Sequence, residues 1–202
     1  DGPAGGADWY TRQVQGTSFS APIVAGGAAL VYDAAYALLA GNPDARDARV
    51  VKAVLMNSAD KTSSWNNGQT PHANGNGGVQ TTQGLDNRVG TGRMNLDAAF
   101  DQFLSGTTDV AGAAQGNLGN VDAIGWDFGT VTDGTLNDYF IDMPLEAGTT
   151  FNATLTWFRD RRQIGSISFA DDSFDNLDLE LWSAQGGVPL ALISESNSMY
   201  NN

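Results

Sequence analysis

The sequence predicts a chain of two characters: a helix-rich part over residues 1–105, then, after a linker at 106–120, an all-β antiparallel sandwich or jelly roll over 121–202. Three observations predict it. Residues 21–40 contain a single charge, Asp33, within a run dominated by Ala, Gly, Val and Leu. Val50, Val51, Val54 and Leu55 recur at helical spacing. Past residue 120 helical periodicity vanishes, and short runs rich in β-branched and aromatic residues alternate with clusters of Gly, Asp, Asn and Ser.

The first helix is expected from Ala21, with Pro22 in the opening turn, where its missing N–H costs nothing. A span of about 20 apolar residues is long enough to cross a bilayer. Asp33, the adjacent Gly26 and Gly27, and alanine rather than leucine in excess favour a buried core helix over a membrane span. Asn42-Pro43-Asp44 starts a second helix that turns its valine stripe inward and Arg46, Arg49 and Lys52 outward. Residues 61–92, rich in Asn, Gly, Gln and Thr, read as surface loops with a short hairpin, followed by a short helix over Leu96–Leu104. The linker is small and nearly uncharged. The β runs are GWDFGTV, DYFIDMPL, TFNATLTWF, LDLELW and VPLALIS.

Ten Lys plus Arg stand against 23 Asp plus Glu, a formal net charge of −13, which repels nucleic acid and anionic bilayers. The absence of cysteine rules out disulfides and Cys-based zinc sites. At 202 residues with 41% hydrophobic content a packed core is expected. The chain opens on Asp1 with no basic leader and breaks off in SESNSMYNN, so both ends are expected to belong to a longer precursor and the sandwich to be incomplete at its C-terminus.

The chemistry concentrates at Gln15-Gly16-Thr17-Ser18-Phe19-Ser20-Ala21-Pro22. Backbone N–H groups at a helix N-terminus stabilise an oxyanion formed when a serine attacks a carbonyl, and a glycine beside the serine lets substrate approach. The plainer alternative is that Ser18 or Ser20 caps the helix.

Gly16 to Pro22, continued by Ile23-Val24-Ala25-Gly26, resembles without a gap the active-site serine signature of the subtilisin-like serine proteases. Val51 to Ala59 is similar to that family's helix after the serine helix, and Gly90-Thr91-Gly92-Arg93-Met94-Asn95 to its closing segment. The resemblance covers about residues 1–105. It implies an α/β catalytic-domain portion whose parallel sheet lies mostly upstream, with Ser18 as nucleophile of a secreted or cell-surface endopeptidase, its N–H an oxyanion donor, and no cofactor for catalysis. It also implies that the triad Asp and His and the oxyanion Asn come from an N-terminal partner segment, since residues 1–17 hold Asp1 and Asp8 but no histidine. The chain alone is then expected to be inactive, because a serine without a base is a weak nucleophile. The one histidine, His72, lies downstream of the serine and reads as a solvated loop residue.

The C-terminal runs FNATLTWFRD and DNLDLELW resemble sandwich domains appended to bacterial secreted subtilases. Asp171, Asp172, Asp175 and Asp178 are candidate ligands for a structural Ca²⁺, although their spacing is not that of an EF-hand. Arg159, Arg161 and Arg162 are rival partners for the same acids. Trp157, Phe158 and Trp182 are assigned to the core. The alternative function is a non-catalytic binding module derived from a degenerate protease.

Overall fold

The computed structural model describes residues 16–73, 77–107, 118–141, 143–158, 160–173 and 176–196. Helix α1 spans Thr17–Leu38, a 3-10 turn spans Pro43–Arg46, α2 spans Ala48–Asn57 and α3 spans Leu96–Leu104. The strands are β1 Gln69–Pro71, β2 Val79–Thr81, β3 Leu118–Val121, β4 Asp138–Ile141, β5 Asp160–Gln163, β6 Phe169–Ser173, β7 Leu179–Gln185 and β8 Val188–Ser196.

Each short helix is bounded by a side-chain cap. Asn42 accepts from the Asp44 N–H to open the 3-10 turn, Asp47 accepts from Arg49 to open α2, and Asn95 accepts from Ala98 to open α3. The core gathers where the three helices meet: Val31, Ala34 and Ala35 of α1, Val50, Val51, Val54 and Leu55 of α2, Ala99 and Phe103 of α3, with Ala45 and Trp126. Trp126 stacks on Phe103 and donates its indole N–H to the Phe103 carbonyl. Gly27 permits the α1 approach, because a Cβ there would lie 2.7 Å from the Met94 sulfur.

α1 is less buried than its composition predicts. Only Gly27, Val31, Ala34 and Ala35 are buried, one stripe at helical spacing, whereas Ile23 and Leu30 are each 63% exposed and Phe19, Tyr36 and Leu38 also face outward. By length and composition this helix also passes as a membrane span. Arg49 faces outward as expected, its side chain 42% exposed, and there it forks onto Asp47 at 2.9 Å and lies over the Phe128 ring at 4.6 Å.

The strands differ from the antiparallel sandwich the alternation predicts. β1-β2-β8-β7 form one four-stranded sheet, and β3-β4 and β5-β6 form two-stranded ribbons. Two pairings, β2 with β8 and β3 with β4, are parallel. The four-stranded sheet joins the expected hairpin of the first part to the C-terminal hairpin, across the 106–120 boundary. GWDFGTV and TFNATLTWF form no strand because their groups go to the helices instead. Trp126 docks on α3, Thr154 donates to the Asn57 side chain at 2.9 Å, and Thr156 donates to the Arg49 carbonyl at 3.1 Å.

Candidate active site

Ser18 lies in the first turn of α1. The helix begins at Thr17, four residues earlier than expected, and its N-cap is Gly16, with no side-chain cap. Neither Ser18 nor Ser20 caps it, which overturns the plainer reading of the motif. Gly16 has φ +149° and ψ 159°, a region that belongs almost to glycine alone. Only thus does the chain turn straight from loop into helix at the serine. The Phe19 N–H folds back to the Gly16 carbonyl at 3.0 Å, so the N–H groups of Thr17 and Ser18 are the helix's leading donors. Residues 16–20 are all exposed.

Pro22 sits inside the helix, not at its start. A proline has no N–H to return to the carbonyl four residues back, and that carbonyl belongs to Ser18. The serine is thus bounded on both sides by irregular backbone: glycine before it, a missing helical bond after it.

His72 does not serve Ser18 here, nor is it solvated as expected. Its backbone N–H bonds the Gly78 carbonyl at 3.1 Å, just beyond β1. Its Nε2 lies 2.7 Å from Glu195 Oε1, with the two side chains 13% and 8% exposed.

Loop residues of 58–68 and 82–95 form a hydrogen-bonded frame. Asp60 and Arg93 exchange backbone hydrogen bonds, and the Asp60 carboxylate also accepts from Arg93 and Asn95 at 2.9 Å each. Asn95 and then Arg93 hold that carboxyl below its usual range. Gly92 has φ +122°, and a Cβ there would run into the Asp60 carbonyl. The buried Asp86 carboxylate accepts the N–H groups of Arg88, Asn66 and Val89, which lower its pKa. Lys61 reaches the Thr91 carbonyl at 2.6 Å, and burial pushes its ammonium pKa down. This frame carries Met94 and Leu96 against Gly27 of α1. It sets the helix that bears Ser18.

Of the proposed calcium ligands, the two whose side chains are described, Asp171 and Asp178, have separate neighbours. Asp171 pairs with Arg161 at 2.8 Å, as the rival reading has it. Asp178 lies instead beside Glu180 and Glu195; burial first, then those charges, raises its pKa. Asp175, Arg159 and the Asp172 side chain lie outside the described residues. Among the described residues no group of three or more His, Asp or Glu is placed to hold a metal ion. Two of the aromatic assignments also change. Trp182 is 42% exposed and donates to Glu180, and the half-exposed Phe158 ring lies 5.7 Å from Lys52 Nζ. Among the described residues Trp126, unassigned from sequence, is the buried tryptophan.

Between α1 and α2 runs an open apolar groove of about 490 Å³, lined by Val24, Ala28, Tyr32, Val51, Leu55 and Met56. With the exposed Ile23 and Leu30 it gives α1 an apolar outer surface.

No curated protein and no solved structure matches the chain. Residues 6–92, which include Ser18 and end before α3, match the family model described as the subtilase family, a family of serine peptidases.

Proposed function

We propose that this chain carries the nucleophile of a subtilisin-like serine endopeptidase acting outside the cell or at its surface, and that Ser18 is that nucleophile. The observation that carries the reading is the subtilase match across a Ser18 mounted, exposed and uncapped, at the leading donors of an apolar helix. The Ser18 Oγ attacks the peptide carbonyl and its proton passes to a base. The oxyanion is held by the Ser18 N–H, and the amine leaves to give an acyl-enzyme that water hydrolyses.

The base, its orienting Asp and the oxyanion Asn come from an N-terminal segment of the same protease. Charge and apolarity support this assignment. His72 is engaged by Glu195, and the outer surface of α1 and its groove are the kind of large apolar patch that a partner covers. A fluorophosphonate probe tests both statements. The chain alone is expected to label weakly, and addition of the N-terminal segment to produce labelling that Ser18→Ala abolishes. Strong labelling of the isolated chain refutes the two-segment reading, and labelling at another serine refutes the nucleophile.

A further inference from the structure

β7 is the last strand of the four-stranded sheet. Its inner side pairs with β8 along Leu179–Gln185, and its outer side meets no strand among the described residues. Among those residues only β8 bonds the β7 backbone. An open edge is a template for another strand, and folded proteins blunt it with proline, charge, a bulge or brevity. β7 is seven residues long and LELWSAQ contains no proline, glycine or lysine. The two register shifts of the hairpin put the extra residues, Leu190 and Ile193, in β8. The one protection left is the charge of Glu180, which repels an acidic strand and attracts a basic one.

The side chains agree with that choice. Asp178, Glu180 and Trp182 stand at every second position, all exposed, and so on one face. The Trp182 indole N–H donates to Glu180 Oε2 at 2.8 Å, which sets a carboxylate beside an exposed aromatic ring. A cation is received there by the charge of one and the ring face of the other. Glu180 also lies opposite Glu195, and like charges so placed weaken a sheet. His72 meets Glu195, but no lysine or arginine occurs in residues 176–196. A second copy of the chain is a poor occupant, because residues 118–202 hold 13 Asp and Glu against three Arg.

We propose that the outer edge of β7 takes up an extended basic segment of a polypeptide substrate, which adds as a fifth strand and lays lysine or arginine side chains on Asp178, Glu180 and Trp182. The backbone bonds hold the segment, and the acid–indole ladder selects its charge. The source of the segment rests on the peptidase reading; the edge and its selectivity do not.

The probe is a fluorescein-labelled peptide alternating arginine with threonine, as long as the seven residues of β7. Anisotropy with the full Ser18→Ala chain is expected to show binding that fails when glutamate replaces arginine. Glu180→Gln and Trp182→Ala are each expected to weaken it about two- to fivefold, as for an exposed ion pair or cation–π contact. N-methylation of alternate peptide residues is expected to abolish binding in one phase and spare it in the other, since an added strand pairs through one edge. Amide exchange at residues 179–185 should slow with peptide, and at Val54 should not. In the assembled enzyme, joining the arginine–threonine run to a cleavable peptide through a flexible linker is expected to lower KM and leave kcat unchanged, and Glu180→Gln to remove the difference.

The proposal is overturned by equal binding of the glutamate peptide, by affinity indifferent to both substitutions, by equal tolerance of both N-methyl phases, or by a KM that ignores the run. β7 amides already protected without peptide, in a chain that sediments as a dimer, would assign the edge to a second copy and overturn it too. Glu180→Gln removes a like charge opposite Glu195, so it remains informative should Trp182→Ala fail to fold. Absent binding with Ser18 still labelled refutes the edge alone; binding with Ser18 unlabelled in the assembled enzyme refutes the peptidase reading and the substrate with it.

Discussion

The indole of Trp126 lies 5.7 Å from the Phe103 ring, stacked at 17°, and donates its N–H to the Phe103 carbonyl at 2.9 Å. One residue beyond the linker thus completes the helical core. Trp126→Ala is expected to cost about 3–5 kcal/mol, and Trp126→Phe, which keeps most of the packing but removes the N–H that the Phe103 carbonyl accepts, about 1 kcal/mol. Urea unfolding of the two variants separates packing from hydrogen bond; equal losses would show that the ring contributes little.

Gly27 faces Met94 and Leu96 with no space for a Cβ. Gly27→Ala is expected to destabilise by about 1–3 kcal/mol through overpacking. Met94→Ala in the same chain should recover part of that loss, so a double-mutant cycle should show coupling beyond about 0.5 kcal/mol. Additive effects would mean that α1 shifts bodily rather than meeting Met94.

Ser18 and Pro22 act in opposite senses on stability and chemistry. Ser18→Ala is expected to leave the melting temperature unchanged, as the side chain is exposed and caps nothing, while abolishing probe labelling of the assembled enzyme. Pro22→Ala restores the helical bond to the Ser18 carbonyl and is expected to stabilise α1, by up to about 3 kcal/mol. In the assembled enzyme its labelling rate should fall, because the serine's backbone is then drawn into regular helix. A Pro22→Ala chain less stable than wild type would contradict the helical assignment of that residue.

Asp47, Asp60 and Asp86 all titrate below the ordinary value of 3.8, held respectively by Arg49, by Asn95 with Arg93, and by three backbone N–H groups. A carboxyl whose folded pKa is depressed stabilises the fold when ionised; that contribution is complete above its unfolded value and is lost as pH falls through the folded one. Melting temperature is therefore expected to fall steeply below about pH 4, and Asp86→Asn to lose stability at pH 7 while flattening the acid limb. Asp178, raised by burial, Glu180 and Glu195, works the other way, so Asp178→Asn should gain stability at pH 7. Calorimetry across pH 2.5 to 7 checks both signs.

The helical elements were legible because their signals are local. The valine stripe and the bounds of Leu96–Leu104 need only neighbours in sequence, whereas the helix expected from Asn42-Pro43 opens only as a 3-10 turn and α2 starts at Ala48, capped by Asp47. The serine motif was legible because glycine, serine and proline each impose a backbone rule within seven residues. What escaped were long-range exchanges. Thr154 and Thr156 look like strand residues until α2 offers them partners, and alternation carries no information on whether β2 meets β8 in parallel. Asp171 with Arg161 was readable from nearby charges, while His72 with Glu195 joins residues with no common local pattern.

The parallel seam between β2 and β8 also fixes an order of assembly. Thr81 and Glu195, which meet across it, are 114 positions apart, so the helical core can close while the strand that completes the sheet has yet to be synthesised. Contacts of such separation form slowly and late. A chain shortened before Val188 should leave the ribosome with its helices intact and its first hairpin unanchored, a half-finished edge open to strands from other molecules.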